Sequence, residues 1–267
     1  MTADDCHIIL NTAPDELRRI TAGHIWRQVN IGCSNACTIY LRSPADEGMY
    51  LKAIRRDTEH GLVREYEITS WLKGKLPVPD VLYYGQTEEY DYLLLTELPG
   101  AISCDERFKD NVRDVVRILA EGMRMIHSVD ITDCPFDQTL DQKLNQAQYR
   151  VFHGQVDEAN FEPEWIHRSA QDIFDELIAK RPNTEDVVFA HGDYCLPNVI
   201  INGSNLSGFI DLGSAGIADR YQDLSLACRS LTHNWGAEWV PHLLTEYGLP
   251  DIDEQKLEYY KLMDELF

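Results

Sequence analysis

An Asp, an Asn five residues later and a second Asp thirteen beyond that stand at Asp193, Asn198 and Asp211. Oxygen donors in this set suit phosphoryl transfer from a nucleotide. One carboxylate accepts or orients the attacking hydroxyl, while the amide and the second carboxylate hold magnesium on the phosphates. The first two lie in His191-Gly192-Asp193-Tyr194-Cys195-Leu196-Pro197-Asn198, the third in Ile210-Asp211-Leu212-Gly213. Between them, Val199-Ile200-Ile201 and Gly208-Phe209-Ile210 flank Asn202-Gly203-Ser204-Asn205. Asn-Gly between apolar runs predicts a hairpin, which would fold Asp211 back beside the first pair. His-Gly-Asp by itself is an ordinary turn tripeptide. The spaced set with its hairpin carries the expectation.

Phosphoryl transfer also needs a cation against the phosphates and a partner to hold it. Met49-Tyr50-Leu51-Lys52-Ala53 puts Lys52 in an otherwise apolar strand, and the helix that follows offers Glu65 and Glu67. A strand lysine paired to a glutamate on the next helix would serve. Spacing leaves the choice of glutamate open. Ser34, in the small-residue loop Gly32-Cys33-Ser34-Asn35-Ala36, offers a hydroxyl and backbone N–H groups to a phosphate. No GxGxxG or Walker A sequence accompanies it. Tyr50 is a candidate to stack on a base, although an aromatic in a strand more often packs in a core.

These residues need scaffolding. Strands are expected over Ile25–Ile31, Cys37–Arg42, Met49–Ala53, Val81–Tyr84 and Tyr92–Thr96, with one helix over Leu62–Lys73 that stops before Gly74 and Pro77-Val78-Pro79. Leu98-Pro99-Gly100 reads as a linker. Beyond it the chain turns mainly helical. Val112, Val115, Val116, Leu119, Met123 and Ile126 recur at steps of three and four, an amphipathic helix. Residues 163–180 and 253–267 are further helix candidates. A β-rich lobe over 1–97 and a helical lobe over 98–267 together predict an α+β fold with a ligand cleft between its lobes.

Composition narrows the partners. The 267 residues carry 24 Lys and Arg against 45 Asp and Glu, a net charge of −21. That field repels nucleic acid and attracts polycations. No run approaches the roughly 18 apolar residues of a membrane span. The start, Met1-Thr2-Ala3-Asp4-Asp5, has neither the basic nor the apolar region of a secretion signal. Seven cysteines scattered singly show no metal-ligand spacing and read as reduced thiols of a cytoplasmic protein.

At this point the chain resembles the aminoglycoside 3′-phosphotransferases, a family of bacterial antibiotic kinases. The likeness runs through Tyr50-Leu51-Lys52, Trp71 to Pro79, Ile126-His127-Ser128-Val129-Asp130, Asp133-Cys134-Pro135, the Asp193 loop, Gly208 to Gly213, Gly216 to Leu224 and Met263-Asp264-Glu265-Leu266-Phe267. The resemblance implies a two-lobed protein-kinase-like fold and ATP or GTP as phosphate donor with Mg2+. It implies Asp193 as the catalytic residue and Asn198 and Asp211 as magnesium ligands. It selects Glu65 as the partner of Lys52 and sets Tyr50 against the adenine. It further implies Ser34 near the β-phosphate and the backbones of Thr96 and Leu98 along the adenine edge.

An aminoglycoside is a polyamine of hydroxylated rings with little apolar surface, so carboxylates should build its site. Asp157, Glu158, Glu162 and Glu164 form one acidic cluster. Asp264, Glu265 and the α-carboxylate of Phe267 form another. Leu262, Met263, Leu266 and Phe267 predict that this tail docks rather than frays. Two places depart from the family pattern. Thr232-His233-Asn234 stands where relatives often carry acidic residues, and Ser214 where several have an arginine. These departures bear on the antibiotic spectrum and leave the phosphoryl-transfer set intact. A kinase of another small hydroxyl compound and a nucleotide-binding pseudokinase are the competing readings.

Overall fold

A computed structural model describes residues 3–29, 36–45, 47–56 and 61–267. The chain forms two compact units. The first comprises Met1–Gly100 with Ser207–Gly213, and the second Ala101–Leu206 with Ser214–Phe267.

The first unit opens with helices α1 (Ala3–Thr12) and α2 (Asp15–Ile20), separated by Pro14. Only one helix was expected in the first hundred residues, so these two correct that reading. Their signal lies in Cys6, Ile9, Ala13 and Leu17, apolar at steps of three and four and all buried. Strands β1 (Ile25–Val29), β2 (Cys37–Arg42) and β3 (Gly48–Arg55) follow. After helix α3 (Val63–Leu72) come β4 (Val81–Gln86) and β5 (Tyr90–Thr96). The sheet order is β1-β2-β3-β5-β4, and each neighbouring pair is antiparallel.

Side chains alternate across this sheet, as the strand repeat of two demands. Leu51 and Ala53 of β3 join Tyr92 and Leu94 of β5 in a core completed by α1 and α2. Ile54, Leu93 and Leu95 join Leu62, beside α3, in a second core on the other face. Lys52 therefore shares the face of Tyr50 and Ile54, toward α3. The buried Asp91 carboxylate accepts the Leu62 N–H at 3.2 Å and so anchors the start of α3.

The second unit begins with the short strand β6 (Ala101–Ile102) and helices α4 (Val112–His127), α5 (Leu140–Phe152) and α6 (Ala170–Ala179). The six apolar positions read from the sequence of α4 are all buried. Helix α6 starts at Ala170 and not near 163. A capping box between Ser169 and Asp172 satisfies its first N–H groups and sets that boundary. Strands β7 (Val187–Ala190), β8 (Val199–Asn202), β9 (Asn205–Phe209) and β10 (Gly216–Asp219) precede helices α7 (Arg220–Trp235), α8 (Val240–Tyr247) and α9 (Glu254–Asp264). β7 pairs with β10, and β6, β8 and β9 form a sheet in that order. The Asn202-Gly203 turn has Gly203 at φ +62°, the left-handed geometry that hairpins favour. Asp253 caps α9, and Leu262, Met263 and Leu266 are buried. Among the described residues, no helix is long and apolar enough to cross a membrane.

Candidate active site

The loop from β7 to β8 carries Asp193 and Asn198. Gly192 lies at φ +80°, and a Cβ there would collide with the Ser214 backbone oxygen. Asn198 donates from Nδ2 to the Asp193 carbonyl at 3.0 Å and to Asp193 Oδ2 at 2.8 Å. This pair fixes the carboxylate and leaves the Asn198 Oδ1 as the amide's acceptor. Further backbone bonds, Cys195 N–H to Asp193 O and Asn198 N–H to Cys195 O, close the loop on itself.

Asp223, on α7, holds the loop from beneath. Its carboxylate accepts the His191 N–H at 2.7 Å and the Gly192 N–H at 2.8 Å. His127 Nε2 lies 3.1 Å from the same carboxylate. Gln222 Nε2 donates to the Gly192 carbonyl at 2.9 Å. Burial opposes ionisation of Asp223, but His127, His191 and the loop N–H groups outweigh it and lower its pKa. The motif around Asp223 was visible in the sequence, but nothing in its spacing assigned it this task. A lone acid facing the apolar side of a helix was the available signal.

In the first unit, Lys52 bridges two carboxylates. Its Nζ lies 2.6 Å from Glu65 Oε1 and 3.1 Å from Asp211 Oδ1. Glu65 is buried and Glu67 exposed, so α3 presents the former to the lysine. Burial works against the Lys52 ammonium, yet Glu65 and Asp211 overcome it and hold its pKa above the ordinary value. Arg64 Nε donates to the Gly213 carbonyl at 3.0 Å, tying the segment after Asp211 to α3. Asp211 has φ 60° and is the one non-glycine residue with positive φ among the described residues. Such a conformation costs on the order of 1–3 kcal/mol and clusters at functional sites.

Tyr50 is half-buried, with its ring 5.1 Å from that of Tyr40. The Thr96 N–H donates to the Asp80 carbonyl at 3.0 Å, so it is not available to an adenine ring nitrogen. Leu98 follows β5 in a half-buried position. Ser34 lies outside the described residues.

The tail gathers charge in the second unit. Arg229 Nη1 lies 2.5 Å from Asp264 Oδ2 and 3.9 Å from Glu265 Oε1. Glu265 Oε2 accepts the Glu162 N–H at 2.9 Å. Burial and then the nearby Asp193 charge raise the Asp264 pKa against the pull of Arg229. Burial likewise raises Glu265. Burial first, then Asp193, pushes the Cys195 thiol far above its usual range. Asp264 thus lies within electrostatic reach of both Asp193 and Arg229, and no role for Arg229 was read from sequence. Arg150 donates to the Leu266 carbonyl at 2.7 Å and the Phe267 oxygen at 2.9 Å. The Lys143 ammonium sits 4.3 Å from the centre of the Phe267 ring.

Asp157 and Glu158 each accept one backbone N–H. Asp157 accepts the Ala159 N–H at 3.2 Å, and Glu158 Oε1 accepts the Ala170 N–H at 2.7 Å. There they hold the connection into α6. Glu164 pairs with Lys261.

No group of three or more His, Cys, Asp or Glu side chains able to cage a metal occurs among the described residues. Hard amide and carboxylate oxygens at Asn198 and Asp211 suit magnesium, which takes one or two protein ligands and completes its shell with water and phosphate.

The phosphotransferase enzyme family model matches residues 25–260. An aminoglycoside 3′-phosphotransferase from Niallia circulans is 46% identical over 256 residues, covering 95% of this chain and 97% of its own. One from Enterococcus faecalis is 33% identical, covering 86% and 89%. The crystal structure of a type VIII aminoglycoside-3′-phosphotransferase superposes with a TM-score of 0.88 at 32% identity, covering 97% of this chain and 99% of its own. An aminoglycoside phosphotransferase from Streptomyces rimosus gives 0.84 at 25%, covering 100% and 99%. The chain belongs to the aminoglycoside 3′-phosphotransferase family.

Proposed function

We propose that this protein transfers the γ-phosphoryl group of ATP or GTP to a hydroxyl of an aminoglycoside, the 3′-hydroxyl. The observation that carries the reading is the Asp193–Asn198 pair held on an anchored loop, in the same unit as the Asp264, Glu265 and Arg229 cluster. A carboxylate that must take a proton stands near carboxylates that attract ammonium groups.

In this reading Asp193 accepts the hydroxyl proton as phosphate transfer proceeds. Lys52, kept charged and oriented by Glu65, neutralises nucleotide phosphates. Asn198 and Asp211 supply oxygen ligands to Mg2+, which when bound offsets charge on the phosphates. Tyr50 covers the base, and the backbones of Thr96 and Leu98 meet its edge. Ser34 attends the β-phosphate. Asp264 and Glu265 bind substrate ammonium groups, and Asp157, Glu158 and Phe267 complete that side. The setting is cytoplasmic.

A coupled kinase assay over an aminoglycoside panel tests the proposal. Kanamycin should gain one phosphate, read as a mass shift. Tobramycin, which lacks the 3′-hydroxyl but keeps the cationic frame, should inhibit without being phosphorylated. Rapid phosphorylation of tobramycin would move the reaction to another hydroxyl, and failure with every aminoglycoside would overturn the substrate class.

A further inference from the structure

His127 closes α4 and is buried, with 3% of its side chain exposed. Both of its ring nitrogens are engaged. Nε2 lies 3.1 Å from Asp223 Oδ2, on the carboxylate that takes the His191 and Gly192 N–H groups. Nδ1 lies 2.7 Å from the hydroxyl oxygen of Tyr247, the last residue of α8. The two rings meet nearly at right angles, with centres 5.6 Å apart. Arg220 Nη1 donates to the same hydroxyl oxygen at 2.9 Å, while its Nη2 donates to Asp186 Oδ1 at 2.9 Å. None of the chemistry assigned to Lys52, Asp193, Asn198 or Asp211 uses Tyr247 or Arg220.

The direction of each bond follows from its atoms. A guanidinium has donors and no acceptor, so Arg220 fills a lone pair of the Tyr247 oxygen. Burial raises the Tyr247 pKa, so the phenol keeps its proton, and Nδ1 stands at the distance to receive it. A ring nitrogen that accepts carries no proton, which puts the proton of the neutral imidazole on Nε2, facing Asp223. Arg220, Tyr247, His127 and Asp223 thus form a chain of one polarity, and it ends on the carboxylate beneath the Asp193 loop. The opposite tautomer would set an Nε2 lone pair against the lone pairs of Asp223.

On the reading that Asp193 is the base, we propose that Tyr247 is a positioning residue for phosphoryl transfer: its hydroxyl fixes His127 as the Nε2–H tautomer and so keeps Asp223, and through it the Asp193 loop, in working geometry. Tyr247 acts through His127 and Asp223 on the loop that takes the proton. Its loss should therefore lower kcat and leave the KM of each substrate near wild type.

Tyr247→Phe removes the hydroxyl and keeps the ring. With ATP and kanamycin, kcat should fall roughly three- to tenfold, the worth of one hydrogen bond, with both KM values within about twofold. Nitrogen NMR of the imidazole near neutral pH should show His127 protonated on Nε2 alone in the wild type, and a shifted Nδ1 signal in Tyr247→Phe. Amide exchange at His191 and Gly192 should quicken in the variant, because the loop is anchored less firmly. His127→Gln offers Asp223 an amide donor that has no tautomer to choose, so adding Tyr247→Phe to it should change kcat by less than about twofold. A wild-type His127 protonated on Nδ1 overturns the proposal. So does an unchanged kcat in Tyr247→Phe, a loss confined to KM, unchanged exchange at both amides, or an equal loss in the His127→Gln background. If the wild type leaves kanamycin untouched, the substrate reading fails, while the tautomer and the amide exchange still decide the role of Tyr247.

Discussion

Replacing Glu65 with Gln removes one charge and almost no volume, which makes it a sharp probe of how Lys52 is held. At 2.6 Å, an ion pair in a medium of effective dielectric about 20 has a bare attraction of about 6 kcal/mol. Desolvation cancels much of that. Breaking a buried pair typically costs about 3–5 kcal/mol, because the remaining charge is left uncompensated. Here Asp211 remains at 3.1 Å and retains part of the compensation. The expected loss is therefore about 2–3 kcal/mol, equivalent to roughly 30- to 150-fold. It should fall on kcat/KM for the nucleotide, since the lysine then pairs with Asp211 alone and is drawn away from the phosphates. Glu67→Gln is the control, because Glu67 is exposed on the same helix. Steady-state kinetics with varied nucleotide, together with a melting curve, decide the matter. If Glu65→Gln lowers kcat/KM less than threefold (about 0.7 kcal/mol), or if Glu67→Gln matches it, Lys52 is not oriented as argued.

Asp193→Ala should cut kcat by about 10²–10⁴-fold, the usual worth of a general base, while nucleotide affinity measured by calorimetry stays near wild type. Asp211→Asn should raise the magnesium concentration needed for half-maximal rate, since an amide lacks the charge the ion seeks; an unchanged magnesium profile would reduce Asp211 to a structural role. Asp264 and Glu265 have raised carboxyl pKa values, so their neutral forms favour the folded protein. That stability is fully present below the unfolded value near pH 4 and is lost as pH rises through the folded values. Cationic substrate favours the ionised forms, so aminoglycoside affinity should strengthen over the same window. Calorimetric titrations from about pH 4.5 to 7.5 should show this gain in wild type and a smaller gain in Asp264→Asn. Equal pH dependence in the two proteins would remove Asp264 from the substrate site.

Much of the site could be read from the chain because its parts are local. Asp193 and Asn198 share one short loop, so the spacing keeps them near each other, and the fold then joins them by a hydrogen bond. Lys52 stands in a strand whose alternation puts it opposite Leu51 and Ala53. The apolar steps of α4 and the Asn-Gly turn likewise report nearest-neighbour geometry. The apolar residues of the tail similarly implied docking, and Leu262, Met263 and Leu266 are buried.

Other features had no local signature. Glu65 and Glu67, two residues apart on a helix, point in widely different directions. Which one meets Lys52 depends on how α3 docks through Leu62 and the Asp91 carboxylate. Asp223 lies 32 residues from His191, so its grip on the loop exists only once α7 packs beneath β7. Asp264 and Glu265 are an acidic tail in sequence, and only folding gives them Arg229 and withdraws them from water. Sequence determined which groups were present and how those within one turn or strand face each other, because backbone geometry sets both. Tertiary structure decided which distant charges pair, because desolvation and long-range contact come into being only when the elements pack.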